Sequence, residues 1–139
     1  MKKVIIISGP TASGKTKVSL KLIQKGKQKN IPFAIVNFDS LLFYNELNIG
    51  TAKPTIEELD QFPHHMVNIA SITNPLNASD YYKKAIPIIQ KLHEDNIIPI
   101  LVGGSGFYLR SLIKGMYKCP TISNELKEKQ FLSLLQFSK

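Results

Sequence analysis

The stretch Val4-Ile5-Ile6-Ile7-Ser8-Gly9-Pro10-Thr11-Ala12-Ser13-Gly14-Lys15-Thr16 decides the fold. Val4 to Ser8 is a short, β-branched apolar run, the pattern of a buried parallel strand. Gly9 to Thr16 then matches G-x-x-x-x-G-K-[ST] at every fixed position, the pattern of a phosphate-binding P-loop. Glycines let the backbone curl so that successive N–H groups face phosphate oxygens, and the helix that follows adds its positive N-terminal end. Lys15 supplies a mobile charge to the terminal phosphoryl oxygens, and the Thr16 hydroxyl can ligate Mg²⁺. Gly9, Pro10, Thr11, Ala12, Ser13, Gly14, Lys15 and Thr16 are therefore the candidate phosphate-binding residues.

Reading outward, Val18, Leu20, Leu22 and Ile23 fit one helix that ends near Gly26. Pro32 opens a second apolar strand, Phe33 to Phe38, closed by Asp39-Ser40. Leu41 to Thr73 is polar and irregular, and its pattern assigns no element. Ser79 and Asp80 read as a helix start, with Tyr82, Ala85, Ile86, Ile89 and Leu92 on one face. Pro87 inside that pattern should kink or shorten the helix. Ile97 to Val102 is a third strand, ending in Gly103-Gly104-Ser105-Gly106, and a short helix follows from about Phe107 to Ile113. Strands alternating with helices predict an α/β fold of the P-loop NTPase-like kind, a parallel sheet with helices on both faces, three layers in all. The pattern yields three strands and no closing strand, so the sheet reads as incomplete at the C-terminus.

Hydrolytic P-loop enzymes carry a second apolar strand ending in a Mg²⁺-holding Asp. Here the third strand ends in Gly103-Gly104, whereas the second ends in Asp39. Its carboxyl end lies on the same rim as the loop, where parallel sheets bind ligands. Asp39 is thus a candidate general base or metal ligand, with helix capping as its plain structural alternative.

The 139 residues fit one domain with a core, and 18 basic against 10 acidic residues leave a net charge of +8. That excess suits a polyanionic partner, and equally a Lys-, Asn- and Ile-rich composition with no such partner. The lone Cys119 excludes an internal disulfide and suits a reducing, cytoplasmic setting; no apolar run is long enough to span a membrane.

The ordered set of the P-loop, Asp39-Ser40 with Tyr44, Ile49-Gly50-Thr51-Ala52-Lys53-Pro54, Pro63-His64-His65, and Pro99-Ile100 through Val102-Gly103-Gly104-Ser105-Gly106-Phe107-Tyr108 resembles the tRNA dimethylallyltransferases. The likeness runs from Val4 to about Pro120. It implies transfer of a dimethylallyl group from dimethylallyl pyrophosphate, the co-substrate, to N6 of the adenosine 3′ of a tRNA anticodon, with Mg²⁺ as cofactor. By the same resemblance Thr11 to Thr16 bind the donor, with Thr11 near its bridging oxygen and catalytic. Asp39 is the base at the adenine amine, and Asp39, Ser40, Leu41, Leu42, Ser105 and Lys127 contact the anticodon stem-loop. Leu42 stands where the family usually has Gln, Asn45 replaces a basic residue after Tyr44, and Lys127 replaces an Arg. The resemblance further implies a monomer. It divides the chain into a donor-binding core, 1–120, and the start of a helical tRNA-binding segment, 121–139, cut short before the family's later strands and a catalytic-site Arg.

Other residues carry less. His64 and His65 are adjacent, point apart on regular structure and make a poor chelate. Tyr81, Tyr82, Phe107 and Tyr108 could stack bases, but their spacing favours core packing. Cys119 lacks the neighbours of a nucleophile. Two rival functions remain on the residues alone. One is a P-loop small-molecule kinase using ATP, which would want an Arg-rich lid where this chain has only Arg110. The other is a non-catalytic remnant that binds pyrophosphate or nucleotide.

Overall fold

A computed structural model describes residues 2–48, 50 and 53–116. Its elements run β1 (Ile5–Ser8), α1 (Lys15–Gln28), β2 (Phe33–Asn37), a 3-10 turn (Ser40–Phe43), α2 (Ile56–Gln61), β3 (His64–His65), α3 (Ala78–Glu94), β4 (Ile98–Gly103) and α4 (Gly106–Lys114). The strands form one parallel sheet in the order β1-β4-β2-β3. The chain thus has the α/β architecture with a parallel sheet that the alternating pattern predicts. The sheet has four described strands against the three expected. β3 is two residues long, too short to display a period of two.

Alternation along β2 and β4 divides the core between the two faces of the sheet. Ala34, Val36, Phe38 and Leu101 join Tyr81, Ala85 and Leu92 of α3 on one face. Ile35, Ile100 and Val102 meet Ile23 of α1 on the other, with Leu20 and Leu22 packed against them. β1 departs from the buried strand expected of its sequence. It borders only β4 among the described strands, its Ile5 and Ile7 face α1, and Val4 and Ile6 are 42% and 45% exposed. Pro99 sits in the interior strand β4 because its position opposes Val4, before the β1 pairing begins at Ile5↔Ile100. The Ile98 N–H donates to Pro32 O on the β2 side, so the amide that Pro99 lacks would have pointed at an unpaired position.

The helix ends also correct the sequence reading. Gly26 does not stop α1 but lies inside it, where a Cβ would stand 2.4 Å from the Phe33 ring. The turn is made instead by Asn30 at φ 56°, and Asn96 at φ 58° does the same after α3. α3 begins after Asn77, whose side chain accepts from the Asp80 N–H, and it runs unbroken through Pro87 to Glu94. Pro87 itself is exposed. The buried stripe is Ala78, Tyr81, Ala85 and Leu92, so Tyr81 takes the core position expected of Tyr82.

Candidate functional site

Lys15 opens α1 directly after the loop. Gly14 caps α1 at φ 83°, a left-handed conformation that a Cβ disfavours, and Ala12 also takes a positive φ of 63°. The Gly9 N–H donates to Gly103 O at 3.4 Å, tying the loop to the end of β4. The Lys15 ammonium donates to Gly9 O at 2.8 Å and Pro10 O at 2.6 Å, so it lies folded across the loop's own carbonyls. Among the described residues the first turn of α1 contains no acidic side chain to oppose an anion there.

Asp39 arrives at this rim from the end of β2. Its Oδ1 accepts from the Leu41 N–H at 3.2 Å, so the plain capping role is real. The residue also lines the same cleft as the loop. That cleft, about 300 Å³, is walled by Thr11 to Lys17 on one side and by Asn37, Asp39, Leu42, Val102 and Gly103 on the other. The glycine pair makes this approach possible. A Cβ on Gly103 would stand 2.6 Å from the Phe38 ring and 2.7 Å from the Asp39 nitrogen. One on Gly104 would meet Gly9 O at 3.1 Å and Asp39 Oδ2 at 3.6 Å. A strand ending in a bulky acidic residue could not bring β2 and the loop together in this way.

Of the residues expected in the site, Thr11, Ala12, Ser13, Gly14, Lys15, Thr16, Asp39 and Leu42 share the cleft. Gly9 and Pro10 serve it through their carbonyls. Ser40 and Ser105 sit beside it, with Ser105 Oγ accepting from the Ser40 N–H at 3.3 Å and lying 3.4 Å from Ser40 Oγ. Leu41 is exposed at 48%. Lys127, Cys119 and the 121–139 segment fall outside the described residues. His64 and His65 lie on β3, and neither lines the cleft. His64 Nδ1 is 2.8 Å from Phe62 O, and burial lowers the pKa of both rings. Tyr81 and Tyr108 pack with Phe43 as a ring cluster rather than offering free faces, whereas Phe107 is 68% exposed, against the packing expected of it. Arg110 is on the exposed side of α4, away from the cleft.

Two participants were not anticipated. Lys17 lines the cleft one residue past the motif. Asn37 is 3% exposed and organises the whole Asp39 corner. Its Nδ2 donates to Asp39 O and Met66 O, each at 3.0 Å, and its Oδ1 accepts from the Asp39 N–H at 3.0 Å. The Tyr81 hydroxyl donates to Asn37 O at 3.0 Å, and burial pushes that phenol well above its ordinary value. A polar residue two positions before Asp39 in an otherwise apolar strand was the signal available in the sequence.

The sequence model described as IPP transferase matches residues 42–136. The chain belongs to the IPP transferase family. A tRNA dimethylallyltransferase of Koribacter versatilis is 40% identical over 125 residues, which is 90% of this chain and 39% of that protein. One from Chlamydia pneumoniae is 39% identical over 125 residues, 90% of this chain and 35% of the relative. The full-length tRNA isopentenylpyrophosphate transferase of Bacillus halodurans superposes with a TM-score of 0.76 at 33% identity. That match covers 98% of this chain and 43% of that one. A eukaryotic dimethylallyltransferase acting on tRNA gives 0.76 at 28% identity, covering 90% and 31%. The chain thus spans about two fifths of the length of the relatives it matches.

Proposed function

We propose that the chain binds dimethylallyl pyrophosphate in the P-loop cleft and serves the transfer of its dimethylallyl group to N6 of the adenosine 3′ of a tRNA anticodon. The observation that supports this most is the opposition of Asp39 to the phosphate loop across one cleft, in a chain of the IPP transferase family. The loop amides and Lys15 hold the diphosphate. As the C1–O bond of the donor breaks, they take up the charge that develops on the leaving pyrophosphate. The adenine amine forms the new N–C bond at C1, and its proton passes to the Asp39 carboxylate. Thr11 lies at the bridging-oxygen end of the loop in this reading. The exposed Leu41 and the paired hydroxyls of Ser40 and Ser105 meet the tRNA beside the extruded base.

The donor set fits Mg²⁺. Among the described residues no three His, Cys, Asp or Glu side chains converge, and Mg²⁺ is commonly held by one or two protein oxygens with phosphate and water completing the shell. Thr16, together with oxygens of the donor's own diphosphate, would hold it, and bound there it would neutralise the diphosphate.

The test is to incubate the purified chain with dimethylallyl pyrophosphate, Mg²⁺ and unmodified tRNA, then analyse digested nucleosides by mass spectrometry. Prenylated adenosine should form in proportion to protein and fall about 10²-fold or more in Asp39→Asn, with donor affinity little changed. Donor binding without product would reduce the function to the non-catalytic reading. Release of phosphate from ATP would replace it with a kinase-like or NTPase reading.

A further inference from the structure

Helix α1 buries one side and charges the other. Ser19, Ile23 and Gly26 are its buried residues, while Lys17, Lys21 and Lys25 are exposed. Each of these lysines stands two residues from Ser19 or Ile23. Two residues along a helix are a rotation of about 200°, so the three lie in line on the side turned away from the sheet. The line is about 12 Å long, and its first member, Lys17, lines the phosphate cleft. The sequence of α1 contains no Asp or Glu. Among the described residues none of the three lysines makes an ion pair or a side-chain hydrogen bond. Lys27, which falls off the line, is held by the fold instead: its ammonium donates to Gln61 O at 3.4 Å and stands 5.2 Å from the centre of the Phe62 ring.

Folding does not call for such a line. Like charges four residues apart on a helix repel, and a cation near the N-terminal end opposes the helix dipole. Only Lys25, in the last turn, is favourably placed. The apolar side chains Leu20, Leu22 and Ile23 are turned to the sheet, where they pack with Ile35 and Ile100. Apart from Val18, the outer face therefore offers charge without hydrocarbon.

We infer that Lys17, Lys21 and Lys25 form a track for the phosphate backbone of the RNA whose reacting base enters the cleft. The inference rests on the proposal that tRNA is the acceptor, and it adds a surface outside the cleft and its Ser40–Ser105 rim. Continuity with the cleft supports it. A strand leaving the cleft past Lys17 meets a cation every four residues, about 6 Å apart, with no carboxylate of α1 to repel it. Each phosphate neutralised there releases condensed counterions, and lysines do this as point charges that position a backbone without reading its sequence. An anionic lipid surface fits less well, because a helix that lies in a bilayer interface inserts an apolar face and α1 has buried its own.

The test measures binding of unmodified tRNA to the full chain by fluorescence anisotropy between about 50 and 200 mM salt. Lys21→Gln with Lys25→Gln removes two charges, neither of which lines the cleft. Lys83→Gln with Lys84→Gln removes the same charge from exposed positions on α3. The α1 pair should flatten the slope of log affinity against log salt by about 1.4 to 1.8, the release expected for two phosphates, and the α3 pair by less than about 0.5. The α1 variant should keep its affinity for dimethylallyl pyrophosphate, and its urea midpoint should hold or rise as the like charges are removed. Equal flattening by both pairs overturns the inference in favour of diffuse charge. No flattening by the α1 pair overturns it and leaves the acceptor reading standing. A fall in donor affinity or urea midpoint overturns it by making the lysines a support of the helix. Capture of phosphatidylserine vesicles that the α1 pair abolishes, with tRNA binding unchanged, gives the face to a membrane instead. A chain that binds no tRNA even at the lowest salt overturns the acceptor reading and the track together.

Discussion

The P-loop corner and the segment from Tyr44 to Ala70 flank the same 3-10 turn, yet they are built by opposite means. The corner is local. Its turn geometry comes from Gly14 and its anion site from consecutive amides, and Lys15 reaches carbonyls only five and six residues away. The lateral segment combines contacts of that range with several that reach further along the chain. The Lys53 ammonium donates to Tyr44 O at 2.7 Å, Asn48 Oδ1 at 3.0 Å and Asn68 Oδ1 at 2.7 Å, and the Ile69 and Ala70 amides both bond Phe43 O. Lys53 there occupies the place of a structural cation among oxygens, and partial burial lowers its pKa. Lys15 thus folds onto the loop that lines the cleft, whereas Lys53 bridges three oxygens of the lateral segment.

The largest expected effect is at the seam between the two regions. Gly103→Ala would drive a Cβ into the backbone nitrogen of Asp39 and the Phe38 ring, neither of which can yield. It should cost about 3 kcal/mol or more and remove ligand binding with it, as read by urea denaturation and calorimetry. A folded Gly103→Ala protein with unchanged binding would show that β2 and β4 need not approach so closely.

Lys53→Met comes next. It should lower stability by about 1–2 kcal/mol, since three oxygens lose a charged donor at a partly solvated site. Pyrophosphate affinity should change by less than about threefold, because none of the three acceptors lines the cleft. Urea melts and titrations on one preparation would show both quantities. A loss of affinity with stability intact would erase the distinction between the two lysines.

The smallest effect is in pH. Burial lowers the pKa of both His64 and His65 on β3, so the unfolded chain binds their protons more readily than the folded one. Stability should therefore be flat with respect to these rings above their ordinary pKa of about 6.5 and decline as pH falls below it. Melts between about pH 5 and 8 should show that decline, and His64→Gln with His65→Gln should flatten it. No histidine lines the phosphate cleft, so a decline that persists in the double variant would have another origin.

This contrast also explains what the sequence could disclose. The loop, α1, β2 and β4 were legible because period and motif are local, and Asp39 because a strand end fixes its rim. The lateral segment was not, because α2 and β3 are too short to show a period. Its anchors, Lys53 on Asn68 and Asn37 on Met66 O, join residues 15 and 29 positions apart. Core packing was expected of Tyr81, but the α3 stripe was drawn through Tyr82 because a helical stripe can be drawn through either. The buried one is decided by Phe43, which stacks on Tyr81 with ring centroids 5.2 Å apart.

The most direct measurement of the central claim is a calorimetric titration of the chain and its Lys15→Ala variant with dimethylallyl pyrophosphate in Mg²⁺. The Lys15 ammonium should leave the carbonyls of Gly9 and Pro10 for the diphosphate, so its removal should weaken binding roughly 10- to 100-fold. Far-ultraviolet circular dichroism should stay the same. Equal affinity for the two proteins would contradict the assignment of this cleft as the prenyl-donor site.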